Sequence, residues 1–437
     1  MFQALKKIFR TPDVRKKIFF TLFMILVVRL LSNIPIWGIN RTYLEQFVES
    51  DLGQSLNFFN MISGNSFSSM SLFALGITPY ITASIMIQLL SVVIPSLEQL
   101  QKDGKSGQDK IQRINYVVAV ILSVLEGFLM SWQFGRSGLL TENNAFYVIV
   151  VGITLTVGSA ILILFGKILD KRGVGKGISI ILMTNILANL FGDIAVLKTT
   201  FLDGKELWIQ IVNTILILLV VFLLIVAIIY LNEGDKRIPV QYSGKISGKR
   251  QKNMGESYIP LKVNMANVMP VIFTSSIFQF VIMISSLVNV DANSIPGHII
   301  QVFNTLSWFD PKHPVYTVGV LIYILLIVFF AYFYISITFN PEEIAKNIQN
   351  QGGTITGIRP GKPTEEYLKK QMKYLIFIGA IGLSVIMIIP MILSGVFQIS
   401  SLSLGGTSII IIISVLMETA KTIDTDTKKT STPQFFF

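Results

Sequence analysis

Apolar residues gather in runs of about twenty along this chain, set apart by shorter polar stretches, and few charges interrupt a run. About 20 apolar residues is the length an α-helix needs to cross the hydrocarbon layer of a bilayer. Ten spans are predicted on this basis: 18–37, 76–94, 116–134, 146–168, 178–196, 208–231, 268–290, 315–339, 372–393 and 406–420, the last being the shortest. The stretch 201–206 divides them five and five, into an N-terminal half, residues 1–200, and a C-terminal half, residues 201–437. Many membrane conduits are built from such halves as inverted repeats, although no strong sequence repeat links these two. Two intervals between spans are long, charged and rich in Gly and Pro, 232–267 and 340–371. In the first, a Val-Gln-Tyr stretch before a glycine-rich turn predicts a hairpin. In the second, Gly and Pro fix a bend around Arg359.

Composition sharpens the membrane reading. The 437 residues are 52% hydrophobic and 14% charged, with a mean hydropathy of +0.64; a soluble domain carries about a quarter charged residues. The net charge of +11 is unevenly placed. Thirty of the 36 lysines and arginines fall in or beside the N-terminal segment, the intervals after spans two, four, six and eight, and the C-terminus. Only Arg41, Arg136, Lys198, Lys205 and Lys312 lie on the other side, and Arg29 lies within the first span. The positive-inside rule then places both termini in the cytoplasm. The N-terminal sequence MFQALKKIFRTPDVRKKIFF is basic and leads into a long apolar run without a small-residue cleavage site, so the first span is expected to be retained. The two long basic intervals either serve orientation alone or offer a docking surface to an acidic or RNA-containing partner.

Several chemistries lack raw material. There is no cysteine, which excludes disulfides and thiolate chemistry. The only histidines, His298 and His313, fall in an interval opposite the basic side, so a histidine-based metal or hydrolase centre at membrane depth is excluded. Gly173–Ser179, GVGKGIS, resembles a phosphate loop only loosely, since it follows a span instead of a strand. The clearest charges inside spans are Arg29 and Glu126, with Glu418 near the end of the tenth. Arg29 and Glu126 stand at similar depths, roughly 15–20 Å from the basic side at about 1.5 Å per residue. Either they face the bundle interior and pair, or Arg29 snorkels to headgroups and Glu126 faces water.

The most unusual stretch is FNMISGNSFSSMSLFALGITPYITASIMIQLL, from Phe59 to Leu90. Its first part is too polar to span a membrane and too apolar for an ordinary loop. Proline suits the first turn of a helix, where its missing N–H has no partner to lose, so Pro79 marks the start of the second span. Ile77 and Ile81, four apart, share a helix face, while Thr82, Ser84 and Gln88 add polar groups that lipid would not reward. This stretch, with KRGVGKGISI at Lys171–Ile180, SYIPLKVNMANVMPVIFTSS at Ser257–Ser276, GIRPGKPTEEYL at Gly357–Leu368 and LGGTSIIIIISVLMET at Leu404–Thr419, resembles the SecY family of protein-conducting channels. The resemblance runs from the basic N-terminus to about Thr425. The C-terminal TIDTDTKKTSTPQFFF departs from it, where family members commonly carry a more basic tail.

The resemblance implies an all-α integral membrane protein, ten transmembrane helices in two pseudo-symmetric five-helix halves around a central hourglass pore. It implies a passive channel in the bacterial cytoplasmic membrane, without catalytic residues, cofactor or metal, that translocates unfolded secretory polypeptides and releases hydrophobic segments sideways into lipid. Carried over by motif, the pore ring comprises Ile77, Ile81, Ile178, Leu182, Ile272 and Ile411, with Ile410 or Ile412 as alternatives to the last. Leu182 stands where an isoleucine is often found. The plug corresponds to about 57–69, with Asn60, Met61, Ile62, Ser63, Gly64, Asn65, Ser66 and Phe67 at its centre; by composition alone, a loop resting on the membrane surface fits as well. The lateral gate would join Thr82, Ser84 and Gln88 to Thr274, Ser275 and Ser276. Cytoplasmic docking would use Lys236, Arg237, Lys249, Arg250 and Arg359. Implied partners are the small membrane subunits SecE and SecG, the SecA motor ATPase, the ribosome, signal-bearing polypeptides and membrane lipids. A secondary transporter with a fixed midplane site, or a scaffold without a pore, are the competing readings.

Overall fold

The computed structural model describes residues 12–40, 43–44, 57–142, 144–201, 203, 206–242, 257–288, 294–309, 314–397 and 406–431. A helix stands at each of the ten predicted spans: α1 (Pro12–Leu31), α3 (Thr78–Val93), α5 (Gly104–Arg136), α6 (Ala145–Arg172), α7 (Gly177–Phe201), α8 (Leu207–Glu233), α9 (Met269–Val288), α11 (Val318–Thr338), α13 (Lys362–Phe397) and α14 (Gly406–Ser431). Shorter helices lie between them: α2 (Asn57–Ser63), α4 (Pro95–Lys102), α10 (Ile295–Phe303) and α12 (Pro341–Asn350). Seven of the described helices are long and apolar enough to cross a membrane, and the bent pair α3–α4 makes an eighth. The remaining two are α1, which carries Arg15, Lys16, Lys17 and Arg29, and α9, whose apolar part is Met269–Ile282.

Local chemistry accounts for the breaks. Between α3 and α4 the chain bends by 107°, because Ile94 is extended (φ −99°, ψ 109°) ahead of Pro95 and a residue before proline avoids the helical region. Several predicted boundaries move, the two largest shifts being at the third and tenth spans. The third span continues a helix already running from Gly104, and the tenth extends to Ser431. In both places the polar extension lies beyond the apolar run, where water solvates side chains that hydrocarbon would reject. Many side chains on these helices remain exposed; Leu207, Leu218 and Phe222 along α8 are examples. Exposed aliphatic rows on so apolar a helix suit lipid as their solvent.

The two long charged intervals knit into one small sheet. Strand β1 (Asp235–Tyr242) pairs antiparallel with β2 (Ser257–Lys262) on one side and with β3 (Gly353–Ile355) on the other. Ile238 lies opposite Ile259, and Val240 opposite Ile355. Ile238 and Val240 are buried while Arg237, Pro239 and Gln241 are exposed, the two-residue alternation of a strand with one covered face. That face meets Leu261, Ile348, Leu368 and Leu375. The expected antiparallel pair is therefore present, with its turn, Lys249 and Arg250 lying outside the described residues. The third strand is an addition.

Candidate functional site

About half of the buried apolar residues form one continuous core reaching through α1, α2, α3, α6, α7, α8, α9, α11, α13 and α14. Five of the six ring candidates are buried in it: Ile77, Ile81, Leu182, Ile272 and Ile411. Ile77 sits just ahead of α3, whose second residue is Pro79, as the sequence predicts. Ile178 lies at the margin of this core, half-buried on the first turn of α7. It covers Gly166 of α6 so closely that a methyl group there would come within 2.6 Å of its Cδ1. Ile410 and Ile411 are both buried, and Ile412 is half-buried at the edge of the same core.

The stretch after α2 closes onto this core. Met61 and Ile62 of α2 belong to it, and the Ser408 hydroxyl of α14 lies 2.8 Å from the Met61 sulfur. Beyond Ser63 the chain turns through Gly64 (φ +70°) and Asn65 (φ +69°). Phe67, Met70, Ala74 and Leu75 then pack on Met130 and Phe134 of α5 and on Val151 and Leu155 of α6. The Ser63 hydroxyl accepts from the Phe67 amide, and the Asn60 side chain accepts from the Ser68 amide. Backbone bonds from Ile36 to Met70 and from Leu72 to Ile34 tie the return to the chain leaving α1. This segment is folded into the bundle rather than resting on a membrane surface.

Polar groups from α1 and α7 meet the helix end of this segment. Arg29 donates through Nη1 to the Gly64 carbonyl at 3.2 Å, and through Nη2 to the Thr184 carbonyl at 2.7 Å and to Asn185 Oδ1 at 3.2 Å. Asn185 in turn donates to the Ile62 carbonyl at 2.8 Å. Asn189 donates to the carbonyls of Asn60 and Met61 at 3.3 and 3.1 Å. Of the two alternatives for Arg29, pairing with Glu126 or reaching the headgroups, the structure shows neither: its partners are carbonyl and amide oxygens. Glu126 is buried on α5 beside Thr82, with one carboxylate oxygen unpartnered. Asn185 and Asn189 were absent from the expected site residues, although two amides four residues apart in an apolar span are a signal in themselves.

The gate candidates sit on α3 and α9, and their hydrogen bonds run within a helix or to α11. Thr82 donates to the Thr78 carbonyl, Gln88 to Ser84, and Thr274 to the Pro270 carbonyl. Ser275 exchanges a 2.9 Å bond with Tyr323 of α11, and Ser276 is half-buried. On the basic side, Lys236, Arg237 and Arg359 are all exposed. Arg237 is held by Asp235 at 3.1 Å and lies over the Tyr258 ring; the neighbouring carboxylate raises its pKa. The carbonyl of Arg359 accepts from Thr364, and Gly357 (φ +81°) and Gly361 (φ +94°) turn the chain on either side. A cavity of about 460 Å³ opens between Asn264, Lys262, Tyr334 and the outer part of α14. Near it, α14 forms ion pairs through Asp426 with Lys17, through Glu418 with Lys176 and through Lys421 with Glu233.

The arrangement matches known proteins. The family described as SecY covers residues 71–420. The protein translocase subunit SecY of Streptomyces galbus is 39% identical over 438 residues, spanning 97% of both chains. That of Halalkalibacterium halodurans is 35% identical over 437 residues, spanning 99% of both. Among solved structures, a protein conducting channel aligns with TM-score 0.64 and 17% identity, over 96% of this chain and 95% of the other. A SecY structure concerned with the plug domain and the closed state aligns with TM-score 0.62 and 17% identity, over the same shares. Sec61 in a canine ribosome–channel complex aligns with TM-score 0.61 and 16% identity, again over 96% and 95%.

Proposed function

The chain belongs to the SecY family, and from that premise we propose that it is the protein-conducting channel of a bacterial cytoplasmic membrane, threading unfolded secretory polypeptides through the waist between its halves. It is not an enzyme. Energy for movement comes from a partner, the SecA motor or a translating ribosome. Residues 1–200 and 201–437 form the two halves, with both termini in the cytoplasm.

One observation carries this reading: Ile77, Ile81, Leu182, Ile272 and Ile411, from separate parts of the chain, share one apolar core with Met61 and Ile62. An aliphatic collar excludes ions by dewetting, and its contacts are non-directional, so they can be remade around a passing chain. Ile178 completes the ring at its margin. The segment 57–69, Asn60 to Phe67 at its centre, is the plug: α2 presents Met61 and Ile62 to the collar when closed. Lateral release runs between α3 and α9, past Thr82, Ser84, Gln88, Thr274, Ser275 and Ser276. Thr82, Ser84, Gln88 and Thr274 bond within their own helices and Ser275 bonds to α11, which leaves that seam with few bonds to break. Lys236, Arg237 and Arg359, with Lys249 and Arg250, form the docking face for motor or ribosome, and the lipid-exposed flanks accept SecE and SecG.

Site-specific crosslinking from Ile81 or Ile272 to a stalled secretory precursor tests the reading. Adducts that vanish when the signal segment is deleted are expected. A channel fully engaged with precursor but giving no adduct at either position would overturn it.

A further inference from the structure

We propose that Arg29, Asn185 and Asn189 form a polar latch that holds the plug shut by its backbone, acting as positioning residues for the seal; this rests on reading 57–69 as the plug. The last carbonyls of a helix have no partners inside it. In α2 and the residue after it, those carbonyls are met from outside: Asn60 and Met61 by Asn189, Ile62 by Asn185, and Gly64 by Arg29. A cation at a helix C-terminus also opposes the negative end of its dipole.

The latch is cross-braced. Asn185, 2% exposed, accepts from Arg29 and donates to Ile62, so one amide links guanidinium and plug. Arg29 is fixed at its far side by the Thr184 carbonyl. Gly64 is shaped to receive it: a Cβ there would lie 2.6 Å from Nη2 and 2.9 Å from the Asn185 Cα, at a backbone φ of +70°. No side chain other than hydrogen fits that approach.

All three latch residues belong to the N-terminal half, α1 and α7. Toward the C-terminal half, α2 offers the thioether of Met61 to Ser408 of α14, a weak acceptor. When the halves part, the weaker contact yields first and the plug stays with α1 and α7 until the carbonyl bonds are exchanged. The latch reads the plug's main chain, so apart from Gly64 it makes no demand on which side chains the plug carries.

The test uses the full channel with its partner subunits in liposomes, and reads resting permeability to a small anion. Arg29→Gln and Asn185→Ala should each raise it by about tenfold or more, the ratio equivalent to about 1.4 kcal/mol. Asn189→Ala should raise it less, because the Asn60 and Met61 carbonyls also accept from the amides of Asn65 and Gly64. Arg29→Lys should recover part of the seal, since an ammonium supplies charge without the planar fork. In a channel lacking 57–69, already leaky, these substitutions should add nothing. A tight Arg29→Gln channel alongside a leaky deletion would overturn the latch, as would an equal effect in both backgrounds. A deletion that leaves permeability unchanged would overturn the plug reading and the latch with it. Should Arg29→Gln fail to accumulate, Gly64→Ala attacks the same contact from the plug side; a tight Gly64→Ala channel would also overturn the proposal.

Discussion

The waist and the basic platform are held together by opposite means. At the waist, aliphatic side chains from four helices meet in an apolar core, and these contacts impose no direction. On the platform, strands drawn from two distant intervals are locked in register, Ile238 against Ile259 and Val240 against Ile355. A one-residue slip in that sheet would turn every buried side chain outward, whereas a one-residue shift at the waist replaces one isoleucine by another in the run Ile409–Ile413. On the proposed reading, the part that would present charges to a partner is rigid, and the part that would accept any sequence is adaptable. A variant in one region should therefore spare the other.

The largest separation is expected from Arg359→Glu. Opposed like charges at an interface cost several kcal/mol, so motor-driven translocation in vesicles should fall about 100-fold or more while the resting seal stays intact. Ile411→Asn should do the converse. An amide buried without partners costs roughly 1–3 kcal/mol by mutational data, so resting permeability should rise about tenfold or more with motor binding unchanged. Ile238→Ala removes buried aliphatic volume beneath the sheet, at about 2–5 kcal/mol locally. Hydrogen exchange of the β1 amides should speed up accordingly, and partner affinity should weaken without a leak. The smallest effect belongs to the ion pairs at the outer end of α14. The Lys17 and Asp426 side chains are 41% and 28% exposed, and pairs of that kind contribute about 0–1 kcal/mol. Lys17→Ala should change channel opening by no more than about fivefold, and less at high salt.

Much of this architecture was legible in the sequence. Long apolar runs name helices, and Pro79 marked the start of α3 because proline costs least in a first turn. The distribution of basic residues put Lys17, Lys176 and Lys421 on one side, and they do share ion pairs with Asp426, Glu418 and Glu233 around one end of the bundle. What escaped had physical reasons. Strand β3 is three residues long, too short for an alternation to declare itself. The polar ends of α5 and α14 carry no apolar period, so their helices were cut short. Arg29 was expected to seek a carboxylate or the headgroups, because charge is visible in a sequence and free carbonyls are not. The ring and plug positions are proposed only through resemblance to a family, since an aliphatic residue inside a span looks like any other.

The most direct test of the collar is electrical. Reconstituted channels carrying serine at Ile77, Ile81, Leu182, Ile272 and Ile411, introduced one position after another, should be recorded in planar bilayers without cargo. Resting conductance should climb with each replacement as the constriction wets. Channels that remain as silent as the parent with all five positions polar would contradict the account.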